Sequence, residues 1–269
     1  MSFIGFAALV ALAAIGSVLC EDETIGPIFM KEPSNRVDFS NTTGATVECA
    51  ARGSPTPDII WVRSDGTAVG DVPGLRQVQA NGNLLFPPFR AEDYRQEVHA
   101  QVYACLARNS VGTIHSRDVN VRAVVSQAYA VNLMEEYVLR GNSAILKCHI
   151  PSFVSEYVNV ISWIISEGDD EIDIKLESTN NFDEGKYLVL PSGELHIRDV
   201  GPEDGYKSYQ CRTKHRLTGE TRLSATKGRL VITEPINSAP PKVPTKTIEF
   251  VEFAMGSSVT LLCLAQAFP

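Results

Sequence analysis

One ordered set of residues occurs twice in this chain and limits its architecture more than anything else. Cys49 is followed by Trp61 and then by Tyr103-Ala-Cys105. Further along, Cys148 is followed by Trp163 and then by Tyr209-Gln-Cys211. The cysteines of the two sets lie 56 and 63 residues apart. A repeated pattern of this kind means two copies of one structural unit, so repeats are weighed before any single motif. Each key residue also sits in a run that alternates with period two: Val47, Cys49 and Ala51; Ile59 and Trp61; Tyr103, Cys105 and Ala107; Leu146 and Cys148; Ile161 and Trp163. That period places one side chain in two on a common face, which is the signature of a β-strand with one face buried. Turn-forming runs separate these segments: Arg63-Ser64-Asp65-Gly66, Asn81-Gly82-Asn83, Asn109-Ser110-Val111-Gly112, Pro191-Ser192-Gly193, Pro202-Glu203-Asp204-Gly205 and Leu217-Thr218-Gly219-Glu220.

Composition excludes several classes. With 44 % hydrophobic and 21 % charged residues, the 269-residue chain is ordinary globular protein rather than disordered, collagenous or coiled-coil. A net charge of −8 provides no bulk basic field for nucleic acid. None of the nucleotide-binding, nucleophile-elbow or zinc-hydrolase motifs occurs, and the five histidines show no metal-ligand spacing, so neither enzyme activity nor a cofactor is expected.

The first twenty residues are a separate object. They carry no charged side chain, and residues 3–15 are an apolar block ahead of Glu21-Asp22-Glu23. Residues 1–20 read as a secretory signal peptide whose removal takes Cys20 with it. The competing reading is an amino-terminal membrane anchor, for which the run is at the short limit and lacks a basic flank. Secretion leads to an oxidising compartment with five cysteines, an odd number.

Cys…Trp…Tyr-x-Cys is the pattern of the immunoglobulin sandwich. There, two sheets face one another, a bridge joins strand B to strand F, a strand C tryptophan packs on it, and the tyrosine forms a corner with backbone just upstream. The fold class expected is all-β: tandem I-set immunoglobulin sandwiches, two complete and one truncated. The first spans 21–122 and the second 123–234. A four-proline stretch then leads into 235–269, where Val251–Ala267 reads as the opening strands of a third unit, with Cys263 left without a partner. In this context the tryptophans and tyrosines select Cys49–Cys105 and Cys148–Cys211 among the three possible pairings. Trp61, Tyr103, Trp163 and Tyr209 are core residues.

Longer stretches resemble one family. Pro33–Phe39, Arg63–Arg76 and Leu190–Ile197 are similar to the amino-terminal region of arthropod Down syndrome cell adhesion molecules (Dscam), closely over the first domain and the later half of the second. The resemblance implies homophilic adhesion between identical extracellular domains, used in neuronal self-recognition and arthropod immunity. The partner is then a second copy of the chain. A secreted binder of other cell-surface or pathogen-surface molecules is the alternative. The resemblance also implies that Asn132, Leu133, Met134, Glu135, Glu136 and Tyr137 form an A′ edge strand that pairs with its own copy, because an unpaired sheet edge presents a row of N–H and C=O groups.

Three further features need a reading. Asn41-Thr42-Thr43 is the one glycosylation sequon in the chain, and Asn41 is expected to carry a glycan. Glu167, Asp169, Asp170, Glu171 and Asp173 lack the spacing of a calcium loop and read as a solvated turn. Arg212, Lys214, His215, Arg216 and Arg222 bracket the last hairpin, where an exposed hairpin is favoured over a polyanion site.

Overall fold

The computed structural model of the chain describes residues 24–176, 185–234, 236–243, 255–256 and 265–268. The chain forms two compact units that change over between Arg122 and Ala123. The short segments Asp38–Gly44 and Pro88–Tyr94 group with the second unit. Residues 1–20, with Cys20, and Cys263 lie outside the described residues. Among the described residues no helix is long and apolar enough to cross a membrane.

The first sandwich consists of β1 (Ile25–Lys31), β2 (Arg36–Ser40), β3 (Ala45–Val47), β4 (Ala50–Ser54), β5 (Asp58–Arg63), β6 (Gln77–Val78), β7 (Leu84–Phe86), β8 (Ala100–Arg108), β9 (Thr113–His115) and β10 (Val119–Val124). One sheet runs β2-β10-β8-β5, with β9 also on β8. The other runs β3-β7-β6, and β1 pairs with β4. The expected strand B is therefore interrupted at Glu48-Cys49. Its first half pairs with β7 and its second half crosses to β1, so the cysteine sits at the change of partner rather than within a ladder.

The second sandwich repeats the scheme with β11 (Glu136–Leu139), β12 (Ala144–Leu146), β13 (Val158–Glu167), β14 (Asp170–Lys175), β15 (Tyr187–Val189), β16 (Leu195–Ile197), β17 (Ser208–His215), β18 (Thr221–Leu223) and β19 (Leu230–Thr233). Its sheets are β12-β16-β15 and β14-β13-β17-β18, and β11 runs parallel to β19. Period two is plain in β17, where Tyr209, Cys211, Thr213 and His215 point inward and their neighbours outward. Beyond it, β20 (Ala239–Lys242) pairs antiparallel with β21 (Gln266–Phe268).

The two cores follow one plan. Cys49 is bridged to Cys105 and Cys148 to Cys211, with Cα atoms 6.5 and 6.4 Å apart. Trp61 stands across the ladder from Cys105, and Trp163 from Cys211. A buried indole N–H needs an acceptor. Trp61 Nε1 donates to the Gly82 carbonyl at 2.8 Å, and Trp163 Nε1 to the Gly193 carbonyl at 2.9 Å. Both glycines adopt positive φ, at 91° and 95°, in the turn before β7 or β16. A Cβ on Gly82 would lie 2.9 Å from Ile59 Cγ1, and one on Gly193 would lie 2.9 Å from Val160 Cβ, so neither position admits a side chain. The tyrosine corners are closed as well: Tyr103 Oη donates to the Val98 carbonyl at 2.9 Å, and Tyr209 Oη to the Asp204 carbonyl at 3.2 Å.

Candidate functional site

The segment Asn132–Tyr137 is where an edge strand was expected, and its backbone settles which part is open. Asn132 forms an antiparallel bridge with His149, donating to its carbonyl at 3.2 Å and accepting from its N–H at 2.8 Å. Leu133 is buried, and both its peptide groups bond to Thr226 Oγ1, at 2.7 and 2.9 Å. These two residues are therefore anchors, not edge residues. The ladder itself begins at Glu136, later than expected, where Glu136 N–H donates to the Arg229 carbonyl at 3.0 Å. Among the described residues β11 has a single sheet neighbour, β19, which leaves its other side as an edge.

What remains open is Met134–Tyr137. Met134 and Tyr137 are 65 % and 64 % exposed, large apolar side chains at both ends of a four-residue stretch. Glu135 is exposed between them. Glu136 is half-buried, and burial pushes its carboxyl above the usual carboxylate range.

A second cluster holds the tyrosine corner of the second unit in place. The Asp204 carboxylate is fully buried, accepts from Gly201 N–H at 2.9 Å, and pairs with Lys186 at 2.6 Å and Lys207 at 3.4 Å. Lys207 also donates to Tyr187 Oη at 3.0 Å. Although burial opposes their charge, the bonds to Asp204, Glu203 and Tyr187 leave both lysines above their usual range. The sequence marked Asp204 only as part of a turn. Its place five residues before the corner tyrosine was the available signal.

The other sequence candidates are largely engaged. Asn41 is 8 % exposed, and all four of its polar groups are bonded. Its N–H donates to Val124, its carbonyl accepts from Phe89 N–H, Nδ2 donates to the Phe89 carbonyl at 3.0 Å, and Oδ1 accepts from Ser126 N–H at 2.8 Å. A glycan at Asn41 would replace one of the two Nδ2 hydrogens, leaving the other to donate to Phe89, and would have to leave from a side chain that is buried. The acidic residues after Trp163 form a hairpin in which only Gly168 and Asp169 separate β13 from β14. Among the described residues no group of three or more potential ligands is placed to hold a metal ion. In the basic hairpin, Arg212 pairs with Asp173 and Arg222 with Glu220. Arg216 lies 4.0 Å from Glu156 Oε1, so each arginine of the hairpin has an acidic neighbour, while Lys214 is exposed.

No family model matches the chain. Comparison with curated proteins does find relatives. The cell adhesion molecule Dscam1 of Drosophila melanogaster is 60 % identical over 271 residues, covering 97 % of this chain and 13 % of that protein. The cell adhesion molecule DSCAM of Homo sapiens is 37 % identical, covering 87 % of this chain and 11 % of that protein. The chain thus spans about an eighth of the length of these relatives. Among solved structures, the amino-terminal four immunoglobulin domains of Dscam1 isoform 9.44 match with a TM-score of 0.84 at 65 % identity, over 91 % of this chain and 62 % of that one. A structure addressing Dscam isoform specificity matches with a TM-score of 0.75 at 66 % identity, over 91 % of this chain and 62 % of that one. These relatives are adhesion proteins built on immunoglobulin domains, a non-enzymatic family. The chain belongs to the Dscam family of cell adhesion molecules, and its two sandwiches correspond to immunoglobulin domains of the amino-terminal region of the arthropod members.

Proposed function

We propose that the chain is part of an extracellular recognition surface that binds a second copy of itself, with the edge at Met134–Tyr137 as the contact. The observation that carries this reading is the combination at β11: one side of the strand without a paired strand among the described residues, both flanks closed, and two large apolar side chains exposed between them. An open edge of this kind accepts an antiparallel copy about a two-fold axis, so each side chain meets a fixed partner on the other chain. Self-matching then follows from size and charge at a few positions. The adhesion relatives support it, as does the pair of buried disulfides, which suits an oxidising extracellular space. Residues 1–20 would serve as the secretion signal. The four-residue edge is small, so single contacts are weak and a multivalent array of chains on a surface provides the strength.

The test is aggregation of beads coated with the chain. Identical beads are expected to cluster, and clustering should disappear when soluble chain is added in excess. Beads that stay dispersed at high coating density would overturn the homophilic reading. Beads that stay dispersed yet capture bacterial surfaces would select the alternative, a secreted heterophilic binder in immune recognition.

A further inference from the structure

The open edge of β11 has a defined end, and we propose that Gln266 sets it by acting as a cap on Leu139. The argument rests on alternation along β11. The amides of Glu136 and Arg140 donate to the carbonyls of Arg229 and Thr233, at 3.0 and 3.1 Å, so the even-numbered positions face β19. The odd-numbered positions, Glu135, Tyr137 and Leu139, face the other way, because successive peptide groups of a strand point to opposite sides. An added strand has to bond to those three. Leu139 is already closed. Its N–H donates to Gln266 Oε1 at 3.2 Å, and its carbonyl accepts from Asn142 N–H at 3.1 Å.

The backbone that carries Gln266 is held in place. It begins β21, which pairs with β20 through Lys242 opposite Gln266. The same strand is fastened to the turn after β11 by Asn142, whose Nδ2 donates to the Ala267 carbonyl at 2.6 Å and whose Oδ1 accepts from Ala267 N–H at 2.9 Å. The Asn142 amide thus copies a peptide unit, and the Gln266 amide oxygen copies the carbonyl that an incoming strand would present. With Leu139 capped at one end and Asn132 and Leu133 anchored at the other, the outward groups of Glu135 and Tyr137 are the ones left without a partner among the described residues. The antiparallel register that uses both sets Glu135 opposite Tyr137 of the other copy, with the two-fold axis at Glu136. The part of this inference that concerns self-pairing rests on the homophilic reading above. The cap does not.

The experiment is amide hydrogen exchange, resolved to single residues, on the 269-residue chain and its Gln266→Ala, Gln266→Glu and Asn142→Ala variants. Loss of one such bond should speed exchange at Leu139 by about tenfold in Gln266→Ala. Asn142→Ala, which frees β21, should do the same, while Gln266→Glu keeps an acceptor oxygen and retains protection. The amide of Tyr137 should exchange at one rate in all four chains. Equal exchange at Leu139 in the wild type and Gln266→Ala would overturn the cap. On beads, Gln266→Ala frees the Leu139 N–H, with its carbonyl still held by Asn142, and should cluster at least as strongly as the wild type, whereas weaker clustering would show that Gln266 supports the contact and would overturn its role as an end stop. If no chain clusters while Leu139 responds as stated, the homophilic reading fails and the cap stands.

Discussion

Replacing Gly193 with alanine is the perturbation whose cost the fold defines most sharply. The residue sits at φ 95°, and a Cβ there would be 2.9 Å from Val160 Cβ and 3.1 Å from Val160 Cγ2. Left-handed backbone costs a residue with a Cβ roughly 1–2 kcal/mol. Forcing a methyl into a packed core adds roughly 1–3 kcal/mol, and neither Val160 nor the turn can retreat without disturbing the bond from Trp163 to the Gly193 carbonyl. The sum is about 2–5 kcal/mol. For a sandwich of this size, 1 kcal/mol lowers the melting temperature by about 4–8 °C, so the second unit should melt lower by about 8 °C or more. Gly219→Ala is the control: φ is 73°, but no atom lies within 4 Å of the added Cβ, so only the backbone cost of about 1–2 kcal/mol applies. Differential scanning calorimetry on the two variants and the wild type reads the comparison. Gly82→Ala should act likewise on the first unit, since its Cβ would meet Ile59 and the Cys49 carbonyl. If Gly193→Ala loses no more than Gly219→Ala, the account of the tryptophan–glycine contact is wrong.

Other outcomes follow from the same geometry. Asp204→Asn leaves Lys186 and Lys207 without their buried counter-charge and should cost about 3 kcal/mol in a urea titration; an unchanged midpoint would deny the cluster a structural role. His215 lies against the rings of Tyr129 and Tyr157, and burial holds its pKa below the usual 6.5, with Arg216 and Arg222 acting in the same direction and Glu220 opposing them. The unfolded chain therefore binds the proton more readily, so stability from this residue is complete above pH 6.5 and is lost as pH falls below it. Histidines 99 and 196 are shifted the same way, and His215→Gln should flatten only part of that slope in melts across the range. Intact mass of the secreted, folded chain should show no glycan at Asn41, and a hexose-bearing species on that residue would contradict a buried Asn41.

The sequence exposed those parts of the fold that rest on strong local chemistry. A cysteine, a tryptophan and a Tyr-x-Cys run in fixed order are enough to place the two facing sheets, because the bridge, the indole and the corner hydroxyl each demand one kind of neighbour. The partners they chose were not legible. That Trp61 and Trp163 each donate to a glycine in the turn before the next strand depends on how two sheets meet, and no local pattern records it. Arg76 is a similar case: a charged side chain that propensity would leave in solvent is buried against Tyr103, bonded to its hydroxyl and to the Gly70 carbonyl. At the candidate edge, the expected segment and the open stretch of backbone have different limits. Asn132 and Leu133 read like strand residues, yet His149 and Thr226 occupy their backbone, and neither is near them in sequence. Asn41 shows the opposite case, since a polar Asn-Thr-Thr run looks exposed while its bonds to Phe89 and Ser126 bury the side chain.

Self-recognition at Met134–Tyr137 is the central claim, and a two-colour bead experiment addresses it most directly. Tyr137 faces away from β19, so Tyr137→Pro removes an outward N–H without taking a bond from the ladder inside the sandwich, and proline is a natural block to edge pairing. Beads of one colour carry the wild-type chain and beads of the other carry the variant, after calorimetry has shown that the variant still folds. The account predicts clusters of wild-type beads alone, with variant beads left dispersed. Clusters in which both colours mix in proportion would contradict it.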